Sequence, residues 1–226
     1  MKKFTRFALL AFLLVFASNL YAQLGVQAGY IYAPSKGNLT LGSFNEFSGT
    51  SRNSGFSAGL TYDFKIKRDW GMQVGLLYAY TGGKTAEQYR TIFGISNRTQ
   101  ITTSTYQFLD LPIRATYSLP VTNDFKFFFF GGPVLSYGFY GKTSSQIGGI
   151  KVLGEYDVYQ DFKDEVSPFN LKAGGGLGVF YNGLRLSMGY DQGVLNLYSG
   201  EKRKNANGVV NKLRKNQFSI SLAYVF

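Results

Sequence analysis

The sequence predicts an all-β chain, an eight-stranded antiparallel up-and-down barrel. Three observations carry this. Apolar and polar residues alternate with a period of two through eight segments, which puts successive side chains on opposite faces of a strand. The connections between those segments run long, short, long, short, long, short, long. The composition, with 28 glycines, 21 phenylalanines and 17 tyrosines in 226 residues, favours strands and turns over helices.

The chain opens with Lys2, Lys3 and Arg6, an apolar run over 7–17 and a small-residue exit ending at Ala22. That is the layout of a cleavable secretory signal peptide. The run is shorter than the roughly 20 apolar residues a membrane-spanning helix needs. Residues 1–22 are therefore read as signal peptide and 23–226 as one barrel domain. Loss of the three basic residues takes the net charge from +11 to +8. Cysteine is absent, so an exported chain has to hold together without disulfides.

The first segment, 24–33, sets Val26, Ala28, Tyr30 and Tyr32 on one face. The second and third make the clearest hairpin. Phe56, Ala58, Leu60, Tyr62, Phe64 and Ile66 share a face, Lys67-Arg68-Asp69 breaks the run, and Trp70, Met72, Val74, Leu76, Tyr78 and Tyr80 resume it. The polar stretches 34–53 and 82–103 read as long loops. In the fourth segment Leu109, Leu111, Ile113, Ala115, Tyr117 and Leu119 oppose Asp110, Arg114, Thr116 and Ser118. A turn at 120–124 delivers the fifth, which aligns Phe125, Phe127, Phe129, Leu135, Tyr137 and Phe139. The longest loop, 141–167, holds Ile150, Val152, Leu153, Val158 and Tyr159 and is expected to add strand of its own.

The sixth segment carries Phe169, Leu171, Ala173, Leu177, Val179 and Tyr181, and the seventh Leu184, Leu186, Met188 and Tyr190. Between them stands Asn182-Gly183, a two-residue hairpin signal because both central positions need positive φ. A basic loop over 197–215 leads to the eighth segment, with Phe218, Ile220, Leu222, Tyr224 and Phe226 aligned. Pro112 and Pro133 fall inside the fourth and fifth segments, where proline removes a ladder hydrogen bond. A bulge or broken ladder is expected where the two meet.

Alternation alone does not say which face of the sheet looks outward; the polar face does. A water-soluble barrel needs a hydrophilic exterior, and here that face is mostly Gly, Ser, Thr and Ala. Such residues suit the crowded inside of an eight-stranded barrel, which side chains nearly fill. The apolar face carries no charge in any segment; a Lys or Arg there at mid-membrane would cost about 2–4 kcal/mol. Aromatic residues gather at the strand ends as interfacial girdles: Trp70, Tyr62, Phe64, Tyr224 and Phe226 at one rim, Tyr78 and Tyr80 at the other. Short turns on one side and long loops on the other match barrels of the bacterial outer membrane. The expected address is the cell outer membrane of a Gram-negative envelope, with the apolar face against lipid.

At this point the chain resembles a known family. Tyr106-Gln107-Phe108-Leu109-Asp110-Leu111-Pro112-Ile113 is similar to the Tyr-Leu-Glu/Asp-Ile/Leu-Pro-Leu/Ile motif of the small outer-membrane β-barrel proteins of Bacteroidetes, the PorT-like group. Gln107 departs from the usual Leu. Gly131-Gly132-Pro133, the glycine-rich 174–178 and Gly189-Tyr190 with Gly193-Val194-Leu195-Asn196 resemble that group's later segments. The resemblance implies the barrel and its membrane but no activity; a minority of the group is linked to secretion machinery.

Histidine is absent, so Ser–His and Asp–His catalysis and His/Cys metal sites are excluded. No catalytic residue, metal or cofactor is expected. The acidic residues Asp157, Asp161, Asp164 and Glu165 lack calcium-loop spacing and read as a solvated loop face. Charges inside a narrow barrel are costly unless paired, which predicts a lumenal polar network centred on Asp110, Arg114, Lys172, Arg185 and Asp191. It reads either as a plug that fixes register or as an ion-selecting constriction; eight strands leave little lumen, which favours the plug.

The basic loop residues Lys202, Arg203, Lys204, Lys212, Arg214 and Lys215 are expected to face outward. Lipopolysaccharide phosphates are the anions they would meet there. Nucleic acid is not expected, since no stacking aromatics are interleaved with these charges. The aromatic end at Phe226 resembles the signal read by the outer-membrane assembly machinery. The expected function is a non-enzymatic outer-membrane barrel with a side-chain-filled lumen and external loops for surface interaction. The alternatives are a small-solute porin-like channel and a component of a secretion machinery.

Overall fold

The computed structural model describes residues 22–41, 45–90, 97–147, 150–161, 164–198 and 212–226. The expected signal peptide, but for Ala22, lies outside the described residues, as do Lys202, Arg203 and Lys204. The elements in chain order are β1 (Ala22–Leu41), β2 (Asn45–Lys67), β3 (Trp70–Arg90), β4 (Asn97–Pro120), β5 (Phe125–Ile147), β6 (Ile150–Asp157), the single helical turn α1 (Val158–Asp161), β7 (Phe169–Tyr181), β8 (Leu184–Gly193), β9 (Lys212–Lys215) and β10 (Gln217–Val225).

Neighbouring strands pair antiparallel in the order β1-β2-β3-β4-β5-β7-β8-β10, and β10 returns to β1 from Gly25↔Val225 to Tyr32↔Phe218. That pairing closes an eight-stranded ring. β6 and β9 stand outside it, β6 on β5 and β9 on β1.

Period-two alternation sets the two faces. Outward-pointing Leu60, Leu76, Leu186 and Leu222 are about half exposed, while inward-pointing Thr61, Asp110, Arg114, Lys172, Arg185 and Asp191 are buried. A surface with this much bare aliphatic side chain and no charge is stable only against hydrocarbon. Aromatic pairs mark its two borders. At the end with the short turns, Trp70 lies 4.9 Å from Tyr117, Tyr62 4.7 Å from Phe64 and Tyr224 5.1 Å from Phe226, ring centre to ring centre. Towards the other end, Phe56 stacks on Tyr80 at 5.4 Å and Tyr78 meets Phe139 at 6.2 Å. The short-turn end is called lower below and the other upper.

The lower turns are tight. Asn182 and Gly183 have φ of 47° and 85°, the left-handed pair that a two-residue hairpin loop requires. Arg68, at φ 45°, serves the hairpin between β2 and β3. The β4–β5 ladder passes from Pro112↔Val134 straight to Ala115↔Gly131, so its rungs are missing beside Pro112 and Pro133. The Gly132 carbonyl in this gap accepts the Arg114 guanidinium Nη1 at 2.8 Å. A lumenal side chain thus satisfies a backbone group where the two prolines interrupt the ladder.

The upper end departs from the sequence expectation. Residues 34–53 and 82–103, expected as loops, are mostly strand: β1 and β2 pair as far as Leu41↔Asn45, and β3 and β4 as far as Arg90↔Asn97. Beyond the lipid no face needs to be apolar, so alternation disappears while backbone pairing continues. The longest loop adds β6, as its apolar residues suggested, and the basic loop adds β9. The wall is therefore lopsided. Strands β1 to β5 run 20 to 24 residues, whereas β7, β8 and β10 run 13, 10 and 9.

Candidate functional site: a lumen divided by ion pairs

Every second residue of a barrel strand points inward, so the charged residues of the polar face meet across the lumen. Among the described residues, six of them meet in three pairs. Lys172 Nζ on β7 lies 2.9 Å from Asp110 Oδ2 on β4. Arg114 Nη2 on β4 lies 2.6 Å from Asp191 Oδ1 on β8. Arg185 Nη1 on β8 lies 2.6 Å from Asp63 Oδ2 on β2. Each pair ties strands that are not neighbours in the ring.

Further hydrogen bonds complete each pair, as burial of charge demands. The Ser136 hydroxyl donates to Asp110 Oδ1 at 2.5 Å, and Lys172 also donates to Gln217 Oε1 at 2.6 Å. Besides Gly132, Arg114 Nη1 reaches the Gly174 carbonyl at 3.1 Å. Arg185 Nη2 donates to Thr61 Oγ1 at 3.0 Å, and Gln73 Nε2 to Asp63 Oδ1 at 2.9 Å. The five residues expected in the lumen are all there, but not as one network. Asp63, visible on the polar face of the second segment, is the partner that the expected set left out.

Sequence reasoning also missed the lumenal aromatics. Phe128 and Phe130 sit on the inward face of β5, with the Arg114 guanidinium 5.5 Å from the Phe130 ring centre. Opposite them, Gly176 and Gly178 have no side chain because there is no room. A Cβ at either would stand 2.5 Å from Cζ of Phe130 or Phe128 respectively. The unbroken run of phenylalanine over 127–130 was the available signal, since no alternating strand keeps such a run on one face.

Among the described residues, side-chain layers separate three spaces along the lumen. Arg185 and Phe128 line both the lower vestibule, about 560 Å³, and a central void of about 60 Å³. Gln217 lines both the central void and an upper void of about 30 Å³. Above that, the chain folds back on itself. Lys215 of β9 points into the mouth, its ammonium 3.8 Å from the Tyr106 ring centre and 4.9 Å from that of Phe108. Tyr159 of α1 packs on Gly138 and Gly141, and Lys215 donates to its hydroxyl at 3.3 Å.

Burial, and then repulsion from Lys172, pushes the Lys215 ammonium down to about 7. Burial pushes the Tyr159 phenol well above its ordinary range, assisted by Tyr106 and Asp157. Lys215 thus departs from the outward run of cations expected in the basic loop, because the β9 pairing with β1 turns its side chain inward. Lys212 and Arg214, one residue out of phase, are exposed. Two of the acidic residues bond the local backbone: Asp157 accepts from the Tyr159 amide at 2.9 Å, and Asp161 from the Asp157 amide at 2.8 Å.

A closed antiparallel ring, apolar outside, ionic inside and belted by aromatics, defines an integral β-barrel of the cell outer membrane. The family comparison agrees. The model of the outer membrane protein beta-barrel domain matches residues 16–199, and the chain belongs to that family. Among solved structures, the chain is similar to OprG from Pseudomonas aeruginosa at 13% identity and TM-score 0.44, over 91% of this chain and 96% of that one. It is similar to Ail, the attachment invasion locus protein of Yersinia pestis, at 11% identity and TM-score 0.39, over 91% and 99%. It is also similar to the outer membrane protease OmpT from Escherichia coli at 8% identity and TM-score 0.40, over 92% and 98%. No curated protein matches the chain.

Proposed function

We propose that this barrel is non-enzymatic and shut to solutes, with its short turns toward the periplasm and its tall wall, β1 to β5, presented outside for surface interaction. The observation that carries the closed lumen is the set of three cross-lumen ion pairs, with voids of only about 60 and 30 Å³ left among them. The absence of histidine and cysteine supports a non-enzymatic role, since a hydroxyl nucleophile has no imidazole to activate it. The 106–113 motif supports placement beside the PorT-like group of Bacteroidetes.

Purified protein in planar bilayers tests the closure. Baseline current is the expected result; steady, ion-selective conductance overturns the plug in favour of the channel. The exposed Lys212 and Arg214 support docking on lipopolysaccharide phosphates. Neutralising them together with Lys202, Arg203 and Lys204 is expected to weaken lipopolysaccharide binding, and unchanged binding rejects that contact.

A further inference from the structure

The lower vestibule, about 560 Å³, is far larger than the two voids above it, of about 60 and 30 Å³, and its lining differs from theirs. We propose that it is a binding site for a small organic anion, a carboxylate or phosphate group on an apolar body. Its volume of about 560 Å³ lies within the range of about 300–1,000 Å³ usual for small-molecule sites. The floor is Arg185, already neutralised by Asp63, together with Phe128. Because the same two residues wall off the central void, the vestibule is a dead end. A short molecule fits it and a threading polymer does not.

The walls favour negative charge. Lys65, Arg68 and Lys126 line the vestibule with Asp69 as the only further acidic lining residue. None of the three cations has a salt-bridge partner among the described residues. Elsewhere in the lumen each inward cation of the membrane strands is matched by a carboxylate; here a net positive charge of two is left over. Lys126 is held at the wall with its ammonium 5.5 Å from the Phe180 ring centre. Phe128, Phe180 and Pro120 supply apolar, low-dielectric walls, which concentrate the field of the three cations on the cavity. An anionic head among the cations and an apolar body against these walls satisfy both halves of the lining.

Trp70 sits on the outer aromatic border against Tyr117, so occupancy is read by isothermal titration calorimetry, which needs no reporter side chain. The experiment uses the mature chain in maltoside micelles, titrated with phenyl phosphate, inorganic phosphate and benzyl alcohol. The expected result is a saturable change with phenyl phosphate at least about tenfold tighter than with either other probe. Lys126→Gln and Arg68→Gln are each expected to weaken it about tenfold. Unchanged heat-modifiable migration on gels shows that the variants still fold, and Lys215→Gln at the other end leaves binding unchanged.

No saturable change, equal binding of inorganic phosphate, or full binding by both vestibule variants overturns the proposal. An inner-leaflet headgroup carries the same chemistry. Dihexanoyl phosphatidic acid displacing phenyl phosphate assigns a lipid as the natural source, and failure to displace it assigns a soluble anion.

Discussion

The two ends of the lumen are built from the same kinds of residue and finish differently. At the upper mouth a lysine, Lys215, is enclosed by Tyr106, Phe108 and Tyr159, and the space left is about 30 Å³. At the lower end Lys126 touches one phenylalanine and faces a vestibule of about 560 Å³. The difference follows from chain length. Two-residue links at Arg68-Asp69 and Asn182-Gly183 fix strand register but are too short to carry backbone across the lumen. The long upper connections do, and they supply α1 and β9. Closure of a barrel this narrow is therefore a property of its loops as much as of its strands.

The comparison breaks most severely in the layer between the ends. Asp110→Ala leaves the Lys172 ammonium buried without its carboxylate, and a stability loss of about 3–5 kcal/mol is expected. A lowered urea midpoint in detergent measures it. Adding Lys172→Met should recover most of the loss, because the residual penalty is an unpaired charge and not a missing shape.

Acidity sharpens the upper half. The folded Lys215 value of about 7 lies below the ordinary 10.5, so between those limits the unfolded chain binds the extra proton. Stability then rises as pH goes from about 7 to about 10.5, and the full penalty of burying the ammonium is felt below 7. A rise in stability across that window is expected for the native chain. A flat profile is expected for Lys215→Met, read from urea midpoints at each pH.

The smallest effect belongs to the lower floor. Thr61→Val removes one acceptor from Arg185 while Asp63 stays, so a loss of about 1 kcal/mol is expected. The same urea titration reads it.

Much of this was legible in the residues. Leu60, Leu76, Leu186 and Leu222 announce a lipid-facing side, and Asp110, Arg114, Lys172, Arg185 and Asp191 announce a charged interior, because alternation carries both. Who pairs with whom was not legible. Arg185 finds Asp63, 122 residues away in sequence, and only the stagger of the closed ring sets that height. The strand extensions to Leu41 and Arg90 were hidden for another reason, since pairing in water leaves no apolar rhythm to read. The inward turn of Lys215 depends on the register of a four-residue strand, where a slip of one residue sends the side chain the other way.

The seam between β1 and β10 has a consequence for how the molecule is made. Its eight rungs, Gly25↔Val225 to Tyr32↔Phe218, join stretches nearly a whole domain apart, so loop-closure entropy makes them late contacts. Until they zip, both β1 and β10 show raw edges, and the ionic lining beside Arg185 has a direct opening onto the acyl chains. A half-built cylinder is thus penalised twice, by unpaired amides and by charge facing oil, which makes its completion an all-or-none event.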